Sequence, residues 1–238
     1  MPFKNYLRKI KYLLEGRIIK SPDIKINKKW FGSPYGGFYV HSDQLNSKSI
    51  VYSVGIGTDI SFDLELINTF QCDVLGFDPT PKSIRWLKKN VQNKKFKMFE
   101  FGISHTSGKR KFYLPKNQDH VSGSIEPVKT VNPSDVLSLE FKTLKEVMEA
   151  NKHQHIDLLK MDIEGAEFDV IDHILQEEIK VNQIVVEFHP HLIKGGRTKT
   201  IKTLEKLKNK GFLCFAVSSS FLEFSFLRQD NKPRTNAQ

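Results

Sequence analysis

The chain has 238 residues, a length that suits one domain with a short added segment. Its composition is ordinary for a folded globular protein, no apolar run approaches the roughly 18 residues that span a bilayer, and the basic N-terminus lacks the continuous apolar core of a secretory signal. The net charge of +10 belongs to the ends: residues 1–29 hold nine Lys/Arg against Glu15 and Asp23, residues 228–238 hold three against Asp230, and the stretch between is close to neutral, where a nucleic-acid enzyme would carry a basic stripe beside its site.

Phe3, Leu7, Ile10, Leu14 and Ile18 recur at helical spacing, with Lys4, Arg8, Lys11 and Glu15 on other faces. This predicts a helix over 3–18, packed on its own domain or a sister subunit, or lying on an anionic membrane. The chain divides into a basic extension (1–29), a body (30–228) and a flexible tail (229–238). Trp30–Val40, rich in aromatics and glycine, reads either as a wall over a small-molecule pocket or as a turn into an edge strand.

The next stretch reads strand, glycine turn, helix, strand, acid. Ile50–Val54 is an apolar run that stops at Gly55-Ile56-Gly57, the polar pair Thr58-Asp59 follows, Ser61–Phe70 is helical, and Val74–Phe77 ends on Asp78. Thr80 and Pro81 suit the cap and first position of another helix, running to about Asn90. Lys95–Phe101 is a third strand ended by Gly102. Lys109–Leu114 alternates and is expected to pair near Ile125–Val131 across a polar ten-residue loop that contains His120. Thr143–Asn151 is helical, His155–Asp162 is a fourth strand, Ala166–Leu175 a helix, Asn182–Phe188 a fifth strand, and Thr198–Lys210 a lysine-rich helix. Leu213–Ser218 and Leu222–Leu227 close the chain as a hairpin. Strands alternating with helices predict a mostly parallel sheet with an antiparallel C-terminal edge hairpin, a seven-stranded Rossmann-like α/β methyltransferase layout. Cys72 and Cys214 sit beside or within strands and form no CxxC pair, which fits buried thiols in a reduced, cytoplasmic setting.

The glycine turn and Asp78, 21 positions beyond Gly57, fit an adenosine-containing ligand at the carboxyl ends of parallel strands, with Asp78 accepting both ribose hydroxyls. Capping the next helix is the plainer role for that acid. Position 60 is Ile, where a dinucleotide fingerprint has its third glycine, so an NAD-dependent oxidoreductase is disfavoured. S-adenosylmethionine has no pyrophosphate to cradle and needs only the first two. Gly55, Gly57, Asp59, Asp78, Thr80, Gly102 and Ile103 form the candidate cofactor set. The run Lys160–Glu167 (KMDIEGAE) puts Asp162 and Glu164 past the end of the fourth strand, and Glu187 and His189 follow the fifth, so all four reach one sheet edge. His189 is the candidate general base toward an acceptor hydroxyl, with an ordinary pKa of about 6.5. Asp162 or Glu187 would orient it. A divalent ion on these carboxylates, or a structural His-Pro-His loop, are the less favoured alternatives. His105, His153 and His173 read as surface residues. The Asn/Asp-Pro-Pro-aromatic run common in base N-methyltransferases is missing.

With VYSVGIGTDISFDLELI, VLGFDPTP, HVSGS, IDLLKMDIEGAEFDVI, IVVEFHP and FAVSSSFLEFSFLR in view, the chain resembles the FkbM-type class I S-adenosylmethionine-dependent methyltransferases over roughly Ser49–Arg228. The resemblance implies an O-methyltransferase acting on a small molecule or glycan precursor. It implies Gly55, Gly57 and Asp78 at the cofactor, and Asp162, Glu164, Glu187 and His189 around the transfer site. A nucleic-acid methyltransferase, or a cofactor-binding partner protein without turnover, is the alternative. Membrane or subunit contact through the N-terminal helix, and a homo-oligomer, are open expectations.

Overall fold

The computed structural model describes residues 10–117 and 121–229. Residues 3–9 of the expected first helix, His120 and the expected tail beyond 229 lie outside the described residues. The strands are β1 (Lys29–Phe31), β2 (Phe38–Val40), β3 (Ile50–Val54), β4 (Asp73–Phe77), β5 (Phe96–Phe99), β6 (Gly102–Ile103), β7 (Gly108–Pro115), β8 (Val131–Lys142), β9 (Ile156–Met161), β10 (Val181–Glu187), β11 (Phe212–Val217) and β12 (Glu223–Arg228). The helices are α1 (Ser61–Phe70), α2 (Pro81–Asn90), α3 (Leu144–Ala150), α4 (Glu167–Gln176) and α5 (Gly196–Asn209).

Seven strands form the main sheet in the order β11-β12-β10-β9-β3-β4-β5. All neighbours from β10 to β5 are parallel, and β12 is antiparallel to both β10 and β11. The expected hairpin thus takes the edge, with its antiparallel member lying one strand in. From β3 the chain first builds outward through β4 and β5, then returns to add β9 and β10 on the other side. The strand order therefore reverses between β3 and β9, which opens a crevice at their carboxyl ends.

The central strands read as near-continuous apolar runs because helices cover both faces. On one face α1 buries Phe62, Leu66 and Ile67 against Val51, Val74, Leu158 and Val185. On the other, α4 buries Phe168, Ile171 and Ile174 against Tyr52, Val54, Leu159 and Ile184. Val51 and Tyr52 thus serve opposite cores, as the two-residue period of a strand requires. Cys72 and Cys214 are both free and buried.

Two expectations are corrected. β7 meets the expected region only at its end, where Pro115 faces Val131, and pairs mainly farther along β8: Lys109 faces Glu140 and Phe112 faces Leu137. β8 was hidden because Asn132-Pro133-Ser134-Asp135, near its start, has the composition of a turn. β6 adds to β8 in parallel, making a small second sheet. The N-terminal helix also ends earlier than its apolar spacing implies. Helical residues 10–14 end at Gly16, whose φ of 80° lies in the left-handed region. Leu14 is exposed, whereas Ile18, beyond the helix, packs on the core. The chain then runs beside β11. Asp23 N–H donates to the Cys214 carbonyl at 2.7 Å, the Asp23 carboxylate accepts from Cys214 N–H at 3.1 Å, and Ile24 and Ile26 pack on Phe215 and Leu227. Among the described residues no helix is long and apolar enough to cross a membrane.

Candidate active site

The crevice between β3 and β9 opens into a cavity of about 330 Å³, lined by Tyr35, the 54–59 turn, Phe77–Thr80, Gly102, Ile103, Phe112, Phe141, Lys160, Asp162 and Glu164 among others. Every residue of the candidate cofactor set lies in its wall. Its size suits a small organic ligand.

The glycine turn is shaped by its neighbours. Gly55 has φ of 76°, and a Cβ there would run into the Asp162 carbonyl oxygen, because Asp162 N–H extends the β3–β9 ladder to the Val54 carbonyl. Only glycine fits that approach. Gly57 also has positive φ, 61°. Ile60, at the position of the absent third glycine, is buried in the core beside α1.

Asp78 is buried and fully engaged. Its Oδ2 accepts from Ile56 N–H at 3.1 Å and Gly57 N–H at 2.9 Å. Its Oδ1 accepts from Thr80 N–H at 2.8 Å and from the Thr80 hydroxyl at 2.6 Å. The acid therefore ties the β3 turn to the end of β4 and to the entry of α2. Thr80 sits at the cap position of α2 but does not cap it, because its hydroxyl is turned to Asp78 and Ser83. Asp59 accepts from the Ser33 hydroxyl at 2.6 Å and Ser61 N–H at 2.9 Å. Burial pushes its pKa up, but these bonds and the charge of Lys160 hold it below the ordinary range. Through Ser33, Asp59 anchors the β1–β2 hairpin, so Trp30–Val40 does supply part of the cavity wall, at Tyr35 and Gly36.

Beyond β9 and β10 the expected residues do converge. His189 is 4 % exposed. Its Nε2 lies 3.6 Å from Asp162 Oδ1, 3.7 Å from Glu164 Oε2 and 3.7 Å from Glu187 Oε1, and its Nδ1 lies 3.5 Å from Glu167 Oε1. Burial opposes a charge on the imidazole, but Glu167, Glu164 and Glu187 outweigh it and raise its pKa well above the ordinary value. The expectation of an ordinary pKa near 6.5 is thus corrected upward. The carboxylates are displaced too. Burial and the charge of Asp162 push Glu187 up to about 8. Burial likewise raises Glu164. Glu164 adopts φ of 48°, a left-handed conformation that costs a side-chain-bearing residue roughly 1–3 kcal/mol. The strained turn is pinned by the Ser124 hydroxyl, which donates to the Glu164 carbonyl at 2.9 Å.

Three participants were missed in the sequence. Lys160, on β9, is buried and donates to the Gly55 carbonyl, so it fastens the glycine turn from below. Its signal was a lysine beside Leu158-Leu159 in a buried, mostly apolar strand. Asp63, on α1, is wholly enclosed beneath the turn, and burial pushes it up to about 6 against the pull of Lys160. Glu167 accepts from Gly165 N–H at 2.7 Å and His189 N–H at 2.8 Å, binding the two loops together. His153, read as a surface residue, is half-buried with Nδ1 2.9 Å from the Tyr52 hydroxyl; His105 and His173 are half-buried as well.

A family model, the methyltransferase FkbM domain, matches residues 50–214. No curated protein sequence matches the chain. Among solved structures, the chain is similar to a methyltransferase FkbM from Methylobacillus flagellatus KT, at 12% identity and a TM-score of 0.49, over 83% of this chain and 48% of that one. It thus spans about half the length of that relative. It is also similar to a Methanococcus jannaschii fibrillarin pre-rRNA processing protein (9% identity, TM-score 0.45, 89% of this chain and 87% of that one). An Aeropyrum pernix fibrillarin with natively bound S-adenosyl-L-methionine matches at 11% identity and a TM-score of 0.41, over 92% and 73% of the two chains.

Proposed function

The chain belongs to the FkbM methyltransferase family, and on that premise we propose that it is an S-adenosylmethionine-dependent O-methyltransferase acting on a hydroxyl of a small molecule or glycan precursor. The residues present fit the cofactor. Gly55 and Gly57 leave backbone bare at the cavity wall, Phe77, Ile103 and Phe141 offer apolar surface for a purine, and Asp78 stands at the end of β4. When bound, the cofactor supplies a methyl group on a positively charged sulfur.

One observation carries the reading of transfer to oxygen. Asp162 and Glu164 line the cavity and are also members of the cluster around His189. A hydroxyl held against that wall donates to a carboxylate, and the proton it loses as the new C–O bond forms passes to the same set. His189, enclosed among these carboxylates, orients them toward the cavity. Alignment of the reacting groups supplies much of the rate. Tyr35, exposed at the rim, presents a ring face to a sugar.

The test is incubation with S-adenosylmethionine and a panel of sugars, glycans and sugar nucleotides, read by mass spectrometry, with calorimetry of S-adenosylhomocysteine and NAD in parallel. An O-methylated product and binding of the homocysteine nucleoside are expected. NAD binding in its place, or methylation only on nitrogen or carbon, overturns the reading.

A further inference from the structure

We propose that Asp162, Glu164 and His189, flanked by Glu187, form a binding site for a divalent cation of the Mn²⁺ class at the carboxyl ends of β9 and β10. The proposal rests on the methyltransferase reading only for what the cation would do there.

The spacing is the first argument. One ligand atom each from Asp162, Glu164 and His189 lies within 4.8 Å of the others. A direct charge-assisted hydrogen bond would draw imidazole and carboxylate to about 2.7–2.9 Å. Here three carboxylates stand 3.6–3.7 Å from one ring nitrogen, too far to bond it. Atoms each about 2.0–2.4 Å from a shared cation stand about 3–4.8 Å apart, so the gap at their centre has the dimensions of a coordination sphere.

Charge is the second. Asp162, Glu164, Glu167 and Glu187 surround a single imidazole, and among the described residues none of the four forms an ion pair with lysine or arginine. Buried charges are ordinarily paired or coordinate a metal.

The third concerns His189 alone. Its side chain is more than nine-tenths buried, Nε2 points into the cluster, and Nδ1 has no hydrogen-bond partner. Nδ1 instead faces Glu167, whose carboxylate is fixed by two backbone N–H groups. A carboxylate behind the far nitrogen is the arrangement that orients a ligating histidine. Cation binding would release the ring proton and leave Nε2 as a lone-pair donor. Carboxylate oxygens with one imidazole and no thiolate favour Mn²⁺ or Mg²⁺ over softer ions. Because Asp162 and Glu164 also line the cavity, the bound ion would meet an acceptor oxygen there and lower its pKa.

The experiment titrates the chelator-treated full chain with Mn²⁺, followed by electron paramagnetic resonance and calorimetry, with S-adenosylhomocysteine binding measured on the same samples. We expect one Mn²⁺ per chain, pulsed-resonance coupling to one imidazole nitrogen, loss of that coupling in His189→Gln, and at least tenfold weaker binding in Asp162→Asn and Glu164→Gln. Asp169→Asn, a half-buried carboxylate on α4 paired with Lys199, should leave affinity unchanged. Near-ultraviolet circular dichroism and nucleoside binding identify any variant that fails to fold. A wild type that binds the nucleoside but no Mn²⁺ overturns the cation site and leaves the methyltransferase reading standing. Mn²⁺ binding without nucleoside binding does the reverse. Mn²⁺ affinity unchanged in both carboxylate variants also overturns the site.

Discussion

The two ends of the cavity are built on opposite terms. At the β3–β4 end, Asp78 accepts four hydrogen bonds of 2.6–3.1 Å from the turn and from Thr80, all supplied by the chain itself. At the β9–β10 end, four carboxylates stand 3.5–3.7 Å from one imidazole, a ring nitrogen is unpartnered, and Glu164 is backbone-strained. The first end is stabilised by its own bonds and offers a preformed surface. The second holds charge and strain that its own contacts do not relieve, as is found where a site must meet something else.

The largest effect should come from breaking the satisfied end. Gly55→Ala combines a left-handed φ with a backbone collision at Asp162, and we expect a loss of more than about 4 kcal/mol of stability. Urea unfolding would show this, and a variant with wild-type stability would mean the two strand ends are not locked together as described. Asp78→Ala comes next. If Asp78 were only a ribose ligand, the variant would lose cofactor affinity and keep its stability. Because it removes the acceptor for Ile56, Gly57 and Thr80 N–H groups, we expect about 3 kcal/mol of destabilisation as well. Asp78→Asn, which retains one carbonyl acceptor, should fall between.

The sequence announces these two ends unequally. The sheet, the glycine turn and Asp78 were legible because strand burial, glycine placement and an acid at a strand end are local patterns. So was the convergence of Asp162, Glu164, Glu187 and His189, which follows from β9 and β10 being parallel neighbours. What could not be read was what those neighbours do to one another. The high pKa of His189 depends on Glu167, a first-turn acid of α4 that only tertiary packing brings against the ring. β8 stayed hidden because the turn-like run Asn132-Pro133-Ser134-Asp135 opens it, and Thr80 looked like a cap because its attraction to Asp78 is a contact made across the turn.

A smaller effect tests the unsatisfied end through pH. Glu187 has its pKa raised to about 8 in the fold, against an ordinary glutamate near 4.5. It therefore contributes stability that is fully present below about pH 4.5 and is lost as pH rises through about 8. His189, raised above its ordinary 6.5, acts in the same direction at higher pH. With a chelator present, wild-type stability should fall from pH 5 to 8 relative to Glu187→Gln by about 2 kcal/mol, measured as the difference in urea unfolding free energy. Parallel profiles would show that the cluster does not hold Glu187 protonated.

The smallest effect has the opposite sign. Glu164 occupies φ of 48° beside Gly165 at 101°, and its carboxyl is held in a buried cluster that already carries excess negative charge. Glu164→Gly removes both the side-chain clash of the left-handed conformation and one of the crowded carboxylates. Stability should therefore rise by about 1 kcal/mol despite the added unfolded-state entropy of glycine. Methyl transfer should fall by about a hundredfold, the size of a lost proton-transfer or positioning group, while S-adenosylhomocysteine affinity stays within about threefold, because the β3–β4 end is untouched. Denaturant titration and turnover on the same sample separate these. A variant that loses stability and activity together would mean Glu164 serves the fold, and the contrast between the two ends would then fail at its most strained residue. A gain in stability with loss of turnover would locate the cost of the site in that one backbone turn.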